Sequence, residues 1–312
     1  MEPRTPLPPR LLDSLDDATR AAVTDADRRT AAVAMLDVIE AVPPFSSRVA
    51  LRSAWLKELR ACLAELGPKP PEPLGIRMLN SIARTAFAAR ETTAGLAAAD
   101  AAYKRALATK DVAAEAMVLA NRLPFVARTS LSDGARDALR LAELLPLVQP
   151  LTPQREAEVR LAFVAWHGTR ADPHATRKEL VLLGKVRLPH EDGLVFVAYA
   201  SQVALAQMYL RSGQRIPAVK ALIEAARLAD EEQAFAELAN LQALIAAIAV
   251  QAGDFKAAVA HARSALDAAE RSACQHAQPD PWLGLPLDVS AVDSAAAGIH
   301  SLAEAVLTAQ DW

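Results

Sequence analysis

Apolar residues follow helical spacing along almost the whole chain, and short turn-forming segments interrupt that spacing at regular intervals. The clearest turns centre on Gly213 and Gly253, which lie 40 residues apart, and an earlier one at Gly168 lies 45 residues before Gly213. No stretch shows the alternating pattern of a half-buried strand. A helix-turn-helix hairpin of this length leaves one face apolar, and the following hairpin must cover it. The sequence therefore predicts an all-α protein in which successive hairpins stack as an α-solenoid.

Proline and serine residues indicate where the first predicted helix ends and where the next one begins. The Pro-Pro pair at 43–44 ends a helix over 27–41, and Ser46 and Ser47 are expected to cap the next helix, over 47–66. The paired helices that follow are predicted over 75–90 with 94–109, 111–127 with 132–147, 153–167 with 173–187, 192–212 with 215–229, and 231–252 with 255–272.

A run of prolines divides the chain near its first quarter, and further prolines precede its last helical stretch. A solenoid needs a cap over its last apolar face, and the last predicted helix fits that role. The predicted segments are a disordered lead-in over 1–10, an N-terminal helical unit over 11–66, a Pro-rich linker over 67–75, helical repeats over 76–272, and a Pro-rich turn with a capping helix over 273–312.

Charge and apolar content limit the classes of function. With 34 Lys and Arg against 37 Asp and Glu in 312 residues, the formal charge is −3, whereas electrostatic nucleic-acid binding needs a surplus of Lys and Arg. No apolar run reaches the roughly 18–20 residues that span a bilayer. Two isolated cysteines, abundant alanine and an excess of arginine over lysine are typical of a cytoplasmic bacterial protein. We therefore expect a cytoplasmic protein that neither binds nucleic acid nor inserts into a membrane.

The two clearest hairpins share a pattern of small and apolar residues at a constant offset. It comprises Leu205, Ala206, Tyr209, Gly213, Ala218, Leu222 and Ala225 in one hairpin, and Ile245, Ala246, Ala249, Gly253, Ala258, Ala262 and Ala265 in the next. This pattern resembles the tetratricopeptide repeat, closely over 195–270 and more weakly over 75–190. The spacing is nearer 40 residues than the family's roughly 34, and the first-helix tryptophan is missing. The resemblance is therefore to a long-helix variant of that family.

The resemblance implies that the first helix of each hairpin lines a concave groove, which binds a partner peptide or protein. Asparagine, glutamine and arginine side chains in such a groove hydrogen-bond an extended peptide backbone or a carboxylate. In register with the two turn glycines, the partner-binding candidates are Gln207, Arg211, Asn240 and Gln251, and the upstream candidates are Asn80, Arg84, Asn121, Arg122 and Arg160.

No motif in the sequence indicates catalysis. There is no nucleophile elbow and no glycine-rich phosphate loop, and His167 and His174 lack the Cys or carboxylate partners of a metal site. We therefore expect a non-catalytic scaffold or adaptor without a cofactor or metal. Two alternatives remain open: a regulatory sensor that responds to a small ligand or signalling peptide, and an enzyme whose site carries no recognisable motif. The sequence sets neither the partner's identity nor the oligomeric state.

Overall fold

A computed structural model of the protein describes residues 9–13, 15–24, 27–67, 69–89, 91–186 and 195–274. These residues form helices joined by turns, and no strand occurs among them, which confirms the all-helical prediction. None of the helices in these ranges combines the length and apolar character that crossing a membrane requires. Most of the predicted lead-in over 1–10 and nearly all of the predicted Pro-rich turn and capping helix over 273–312 lie outside the described residues.

The helices follow one another closely along the chain. They are α1 (Pro9–Leu12), α2 (Asp17–Thr24), α3 (Arg28–Ala41), α4 (Val49–Ala64), α5 (Leu74–Ala88), α6 (Thr92–Thr109), α7 (Val112–Thr129), α8 (Leu131–Leu144), α9 (Pro153–Thr169), α10 (Pro173–Leu183), α11 (Val195–Arg211), α12 (Arg215–Glu231), α13 (Phe235–Gln251) and α14 (Phe255–Cys274). Helices adjacent in sequence pack as the predicted pairs α5 with α6, α7 with α8, α11 with α12, and α13 with α14. Successive pairs also touch, through α6 with α7 and α12 with α13.

One turn geometry recurs in the last three hairpins. Ala171, Gly213 and Gly253 have φ angles of 53°, 71° and 77°, in the left-handed region. In each turn this residue donates its N–H to the carbonyl three positions back, and the next residue donates to the carbonyl five positions back from itself, as in a Schellman motif. Gly213 and Gly253 were predicted as turns and are confirmed. Gly168 was the wrong turn residue, because α9 continues to Thr169 and Ala171 takes the left-handed position.

The described residues divide by contact density into two compact units. The first contains the described residues within 9–44 and 48–155, and the second contains those within 45–47, 156–186 and 195–274. The predicted Pro-rich linker over 67–75 lies inside the first unit, because Leu74 at the start of α5 is buried in the same apolar cluster as Leu36 of α3 and Trp55 of α4.

Arg52 fixes the chain where α3 ends, within the first unit. Its side chain is fully buried, and its Nη1 donates to the carbonyls of Ile39 at 2.7 Å and Val42 at 2.5 Å, while its Nε donates to Thr85 Oγ1 at 2.9 Å. Burial, with a smaller effect of Arg84, lowers the pKa of Arg52 to about 9, so the guanidinium remains charged at neutral pH. A cation at the C-terminal end of a helix interacts favourably with the carbonyls exposed there.

A buried ion network joins α6, α7 and α8. Arg122 on α7 is 8% exposed, and its Nε donates to Asp100 Oδ1 of α6 at 2.8 Å while its Nη1 pairs with Asp137 of α8. Asp137 is only 2% exposed, so its carboxylate depends on Arg122 for compensation. The contacts of Arg122 in the structure are therefore internal to the first unit.

Exchanging glycine and alanine at the turn positions should change stability in opposite directions. Ala171→Gly relieves a left-handed alanine and should raise the free energy of unfolding by about 0.5–1 kcal/mol, whereas Gly253→Ala should lower it by about 1 kcal/mol. A Cβ at Gly253 meets nothing within 4 Å, so only the backbone conformation is tested there. Urea unfolding followed by circular dichroism measures both variants. Gly184→Ala, at a φ of −64°, is the control for the exchange itself: without a left-handed backbone it should raise the free energy of unfolding by about 0.4–1 kcal/mol, opposite to Gly253→Ala. A shift of both test variants in one direction would contradict the shared geometry.

Truncation of Arg122 should be far more damaging than truncation of an exposed arginine on the same bundle. Arg122→Ala leaves the Asp137 carboxylate buried without its cation and should cost about 3–5 kcal/mol of unfolding free energy. Arg136 pairs with Asp133 at 2.9 Å on the surface of α8, with side chains 67% and 41% exposed, so Arg136→Ala should cost less than about 1 kcal/mol. Equal losses in urea unfolding would show that the buried network does not hold the three helices together.

Candidate functional site

The second unit contains a cavity of about 500 Å³ bounded by α9, α10 and α11. This volume falls in the range of roughly 300–1,000 Å³ typical of sites for small ligands. The lining residues are Val164 and Gly168 of α9, Ala171 of the following turn, Pro173 and Thr176 of α10, Ala204, Gln207, Met208 and Arg211 of α11, and Ser212 after it.

Local sequence explains why α11 presents two polar side chains to this cavity. Gln207 and Arg211 are four residues apart and therefore lie on one face of the helix, one turn from each other. The left-handed turn at Ala171 ends α9 and starts α10 within three residues, so residues of both helices reach the same cavity. Apolar and small residues from three elements form the remaining walls.

Gln207 is buried and incompletely hydrogen-bonded. Its side chain lines the cavity at 8% exposure, and its Nε2 is buried without a hydrogen-bond partner in the described residues. A buried donor that has lost water and gained no acceptor costs about 1–3 kcal/mol. The amide is thus a donor for an acceptor group placed in the cavity.

Arg211 adds a cation at the same wall. Its Nη1 donates to the Gly168 carbonyl at 2.9 Å, close to the C-terminal end of α9, where a positive charge is favoured. The guanidinium carries further N–H donors beyond this one, and the residue as a whole is exposed. The cavity therefore offers a buried amide donor, a nearby cation and apolar walls, a combination that suits an amphipathic group with an acceptor at one end.

The two hydroxyl groups of the cavity lining donate to backbone carbonyls, and burial acts on the nearby imidazole of His167. Thr176 Oγ1 donates to the Asp172 carbonyl at 2.7 Å and Ser212 Oγ to the Met208 carbonyl at 2.8 Å, so neither hydroxyl donates to a base. Burial lowers the pKa of His167, against the raising effects of Glu179 and Asp172, which favours the neutral imidazole. No group of three His, Cys, Asp or Glu side chains with metal-binding spacing occurs in the described part of the chain.

A second feature of the same unit was not anticipated from the sequence. Phe45 and Ser46 lie against α11 and α13, where Phe45 is fully buried and Ser46 bonds to Glu237. Ser46 was expected to cap α4 and does not, because its side chain is committed to Glu237 and the cap residue Arg48 makes no side-chain cap bond. The sequence carried only the Pro-Pro pair before Phe45 as an indication that this segment is extended.

The other predicted site residues are placed differently. Asn80, Arg84 and Asn121 are half-buried on α5 and α7, with buried Oδ1 of Asn80 and Nδ2 of Asn121 unpaired in the described residues. Arg160 bonds Glu179 at 3.1 Å and Glu156 at 3.5 Å, and Arg122 lies in the ion network above. Asn240 and Gln251 are exposed on α13. Of the nine candidates, Gln207 and Arg211 are the pair that the structure brings together around one cavity.

Comparison of the chain with known protein families, with curated proteins and with solved structures gives no match. The helical hairpins and the cavity are therefore established by the structure alone, and the resemblance to tetratricopeptide repeats stays a prediction from the sequence pattern.

Proposed function

We propose that the protein is a non-catalytic recognition module, built of stacked tetratricopeptide-like hairpins, that binds a partner peptide or protein at the cavity beside α11. The observation that carries this proposal is the buried and unpaired amide nitrogen of Gln207 inside a cavity of about 500 Å³. Such a nitrogen is rare in folded proteins, because buried donors almost always have partners. A bound acceptor would supply the missing bond.

The surroundings of Gln207 support a peptide as the occupant. Peptide carbonyls are acceptors for its amide, and Arg211 one turn later adds donors for a second carbonyl or a carboxylate. Val164, Ala204 and Met208 supply apolar contacts for a side chain, and methionine adapts to differently shaped partners. Both polar residues lie on a first helix of a hairpin, the position that the sequence resemblance assigns to the ligand.

A ligand-responsive sensor is a second candidate, favoured by the cavity's volume. A site of this size encloses most of a small molecule's surface, whereas a peptide would occupy it with one or two residues and extend beyond it. A small ligand that binds only the folded protein raises the melting midpoint, because it stabilises the folded state by RT ln(1 + L/Kd), where L is the free ligand concentration. A metabolite screen by thermal shift therefore tests this candidate separately from peptide binding.

Removing the two cavity donors should weaken partner binding without unfolding the protein. Peptides are first selected on the purified wild-type chain from a random display library, and their affinities are then measured by calorimetry. The double variant Gln207→Ala with Arg211→Ala should bind these peptides about 10–100-fold more weakly, since each lost hydrogen bond to a buried or charged donor is worth about 1 kcal/mol or more.

The matched control is Asn240→Ala with Gln251→Ala, which removes two exposed polar side chains of the next first helix, α13. This variant should keep wild-type affinity, and both variants should keep the helicity seen by circular dichroism. Selected peptides that bind the Gln207/Arg211 variant as tightly as the wild type would exclude the cavity as the recognition site.

A further inference from the structure

Residues 45–47 belong to the second unit, although the described chain on either side of them belongs to the first. Of these three residues, Phe45 joins an apolar cluster whose other buried members lie between Ala157 and Ala268. A contact this short, made by a segment with no other part in the unit, has the dimensions of a linear peptide motif on its receptor. The contact combines one buried aromatic ring with one hydrogen-bonded serine, as such a motif would.

The first half of the contact is aromatic. Phe45 is fully buried between two rings of α11, with its centroid 5.3 Å from that of Phe196 at an interplanar angle of 79°, and 5.1 Å from that of Tyr199 at 68°. Edge-to-face packing at these distances is favourable beyond the burial of apolar area. Helix α11 therefore holds the phenyl ring in a defined orientation.

The second half is a carboxylate that accepts two hydrogen bonds from one residue. The Ser46 backbone N–H donates to Glu237 Oε1 at 2.9 Å, and the Ser46 hydroxyl donates to Oε2 at 2.7 Å. Glu237 is fully buried in the first turn of α13, where the helix dipole favours a negative charge. The backbone bond requires a residue other than proline, and the hydroxyl bond requires serine or threonine.

We propose that α11 and α13 form a peptide-recognition site for an extended segment with an aromatic residue followed by serine, and that Phe45–Ser46 is its built-in occupant. The receptor side consists of Phe196, Tyr199 and Glu237, all on first helices of hairpins. This site is distinct from the cavity at Gln207 and does not depend on the function proposed for it. A partner peptide with the same two side chains competes with the chain's own segment.

Occupation by the chain's own segment sets how strongly a free peptide binds. A tethered segment acts at an effective concentration on the order of 1 mM. A free peptide with an intrinsic dissociation constant of about 10 μM would therefore bind the wild-type chain roughly 100-fold more weakly than a chain whose site has been vacated.

The test uses the full chain with Phe45→Ala and Ser46→Ala, and a fluorescent peptide that spans residues 42–49, with the sequence Val-Pro-Pro-Phe-Ser-Ser-Arg-Val. Fluorescence anisotropy should show binding to this variant and binding about 100-fold weaker to the wild type. A peptide with Ser46→Pro, which lacks both donors, should not bind the variant. A peptide with Ser47→Ala is the matched control and should bind normally, because the Ser47 hydroxyl is buried in the structure without a hydrogen-bond partner.

Three results would overturn the proposal: a helical, folded variant that does not bind the peptide, equal binding by variant and wild type, or equal binding of the Ser46→Pro and Ser47→Ala peptides. Should the variant fail to fold, hydrogen exchange on the wild-type chain decides instead. Several millimolar peptide should then accelerate exchange of the Ser46 amide, and the Ser46→Pro peptide should not. An unchanged exchange rate with both peptides would equally reject a site open to free peptides.

Discussion

The closing turn of each hairpin is the constraint on which the rest of the second unit depends. A left-handed residue lets two successive N–H groups return to carbonyls of the last helical turn, so the first helix ends and the second begins within a few residues. At Ala171 this geometry also builds the cavity. The Gly168 carbonyl accepts the Ala171 N–H at 3.0 Å and still has a lone pair for Arg211 Nη1 at 2.9 Å. One backbone oxygen thus closes a hairpin and anchors the cavity's cation.

Sequence reasoning succeeded where the information is local. The turns at Gly213 and Gly253 and most helix ends were predicted, because glycine, proline and helical spacing act over a few residues. Two ends were wrong: α10 ends at Leu183 and not at 187, and α13 begins at Phe235 and not at 231. The pair Gln207 and Arg211 came from placing Gly213 on the turn glycine of the tetratricopeptide pattern, and their role as site residues stays a prediction. The left-handed turn at Ala171 was not predicted, because alanine rarely adopts a left-handed φ and no neighbouring residue indicates one there. The Ser46–Glu237 bond could not be predicted from local sequence patterns, since its partners are 191 residues apart in sequence.

The polar groups buried in this protein differ in whether the described chain supplies their hydrogen-bond or ion-pair partners. Asp137 is paired with Arg122, and Glu237 accepts both donors of Ser46. The Asp137 pair is an internal contact whose removal is expected to lower stability, whereas the Glu237 contact is the one proposed above to open to a free peptide. The Gln207 amide nitrogen is equally enclosed and has no such partner in the described residues. This nitrogen also lines a cavity, so it is a donor available to an acceptor placed there, and the proposed recognition role rests on that combination.

Helix α11 connects the two proposed recognition sites. Tyr199 and Gln207 are eight residues apart on this helix and so differ by about 80° around its axis, and Arg211 lies about a further 40° round. Eight residues of α-helix separate Tyr199 from Gln207, roughly 12 Å along the axis, which about four residues of an extended peptide span. A peptide that uses both sites must displace Phe45, whereas a ligand confined to the cavity need not. The response of the Ser46 amide to a cavity ligand thus distinguishes one continuous binding face from two separate sites.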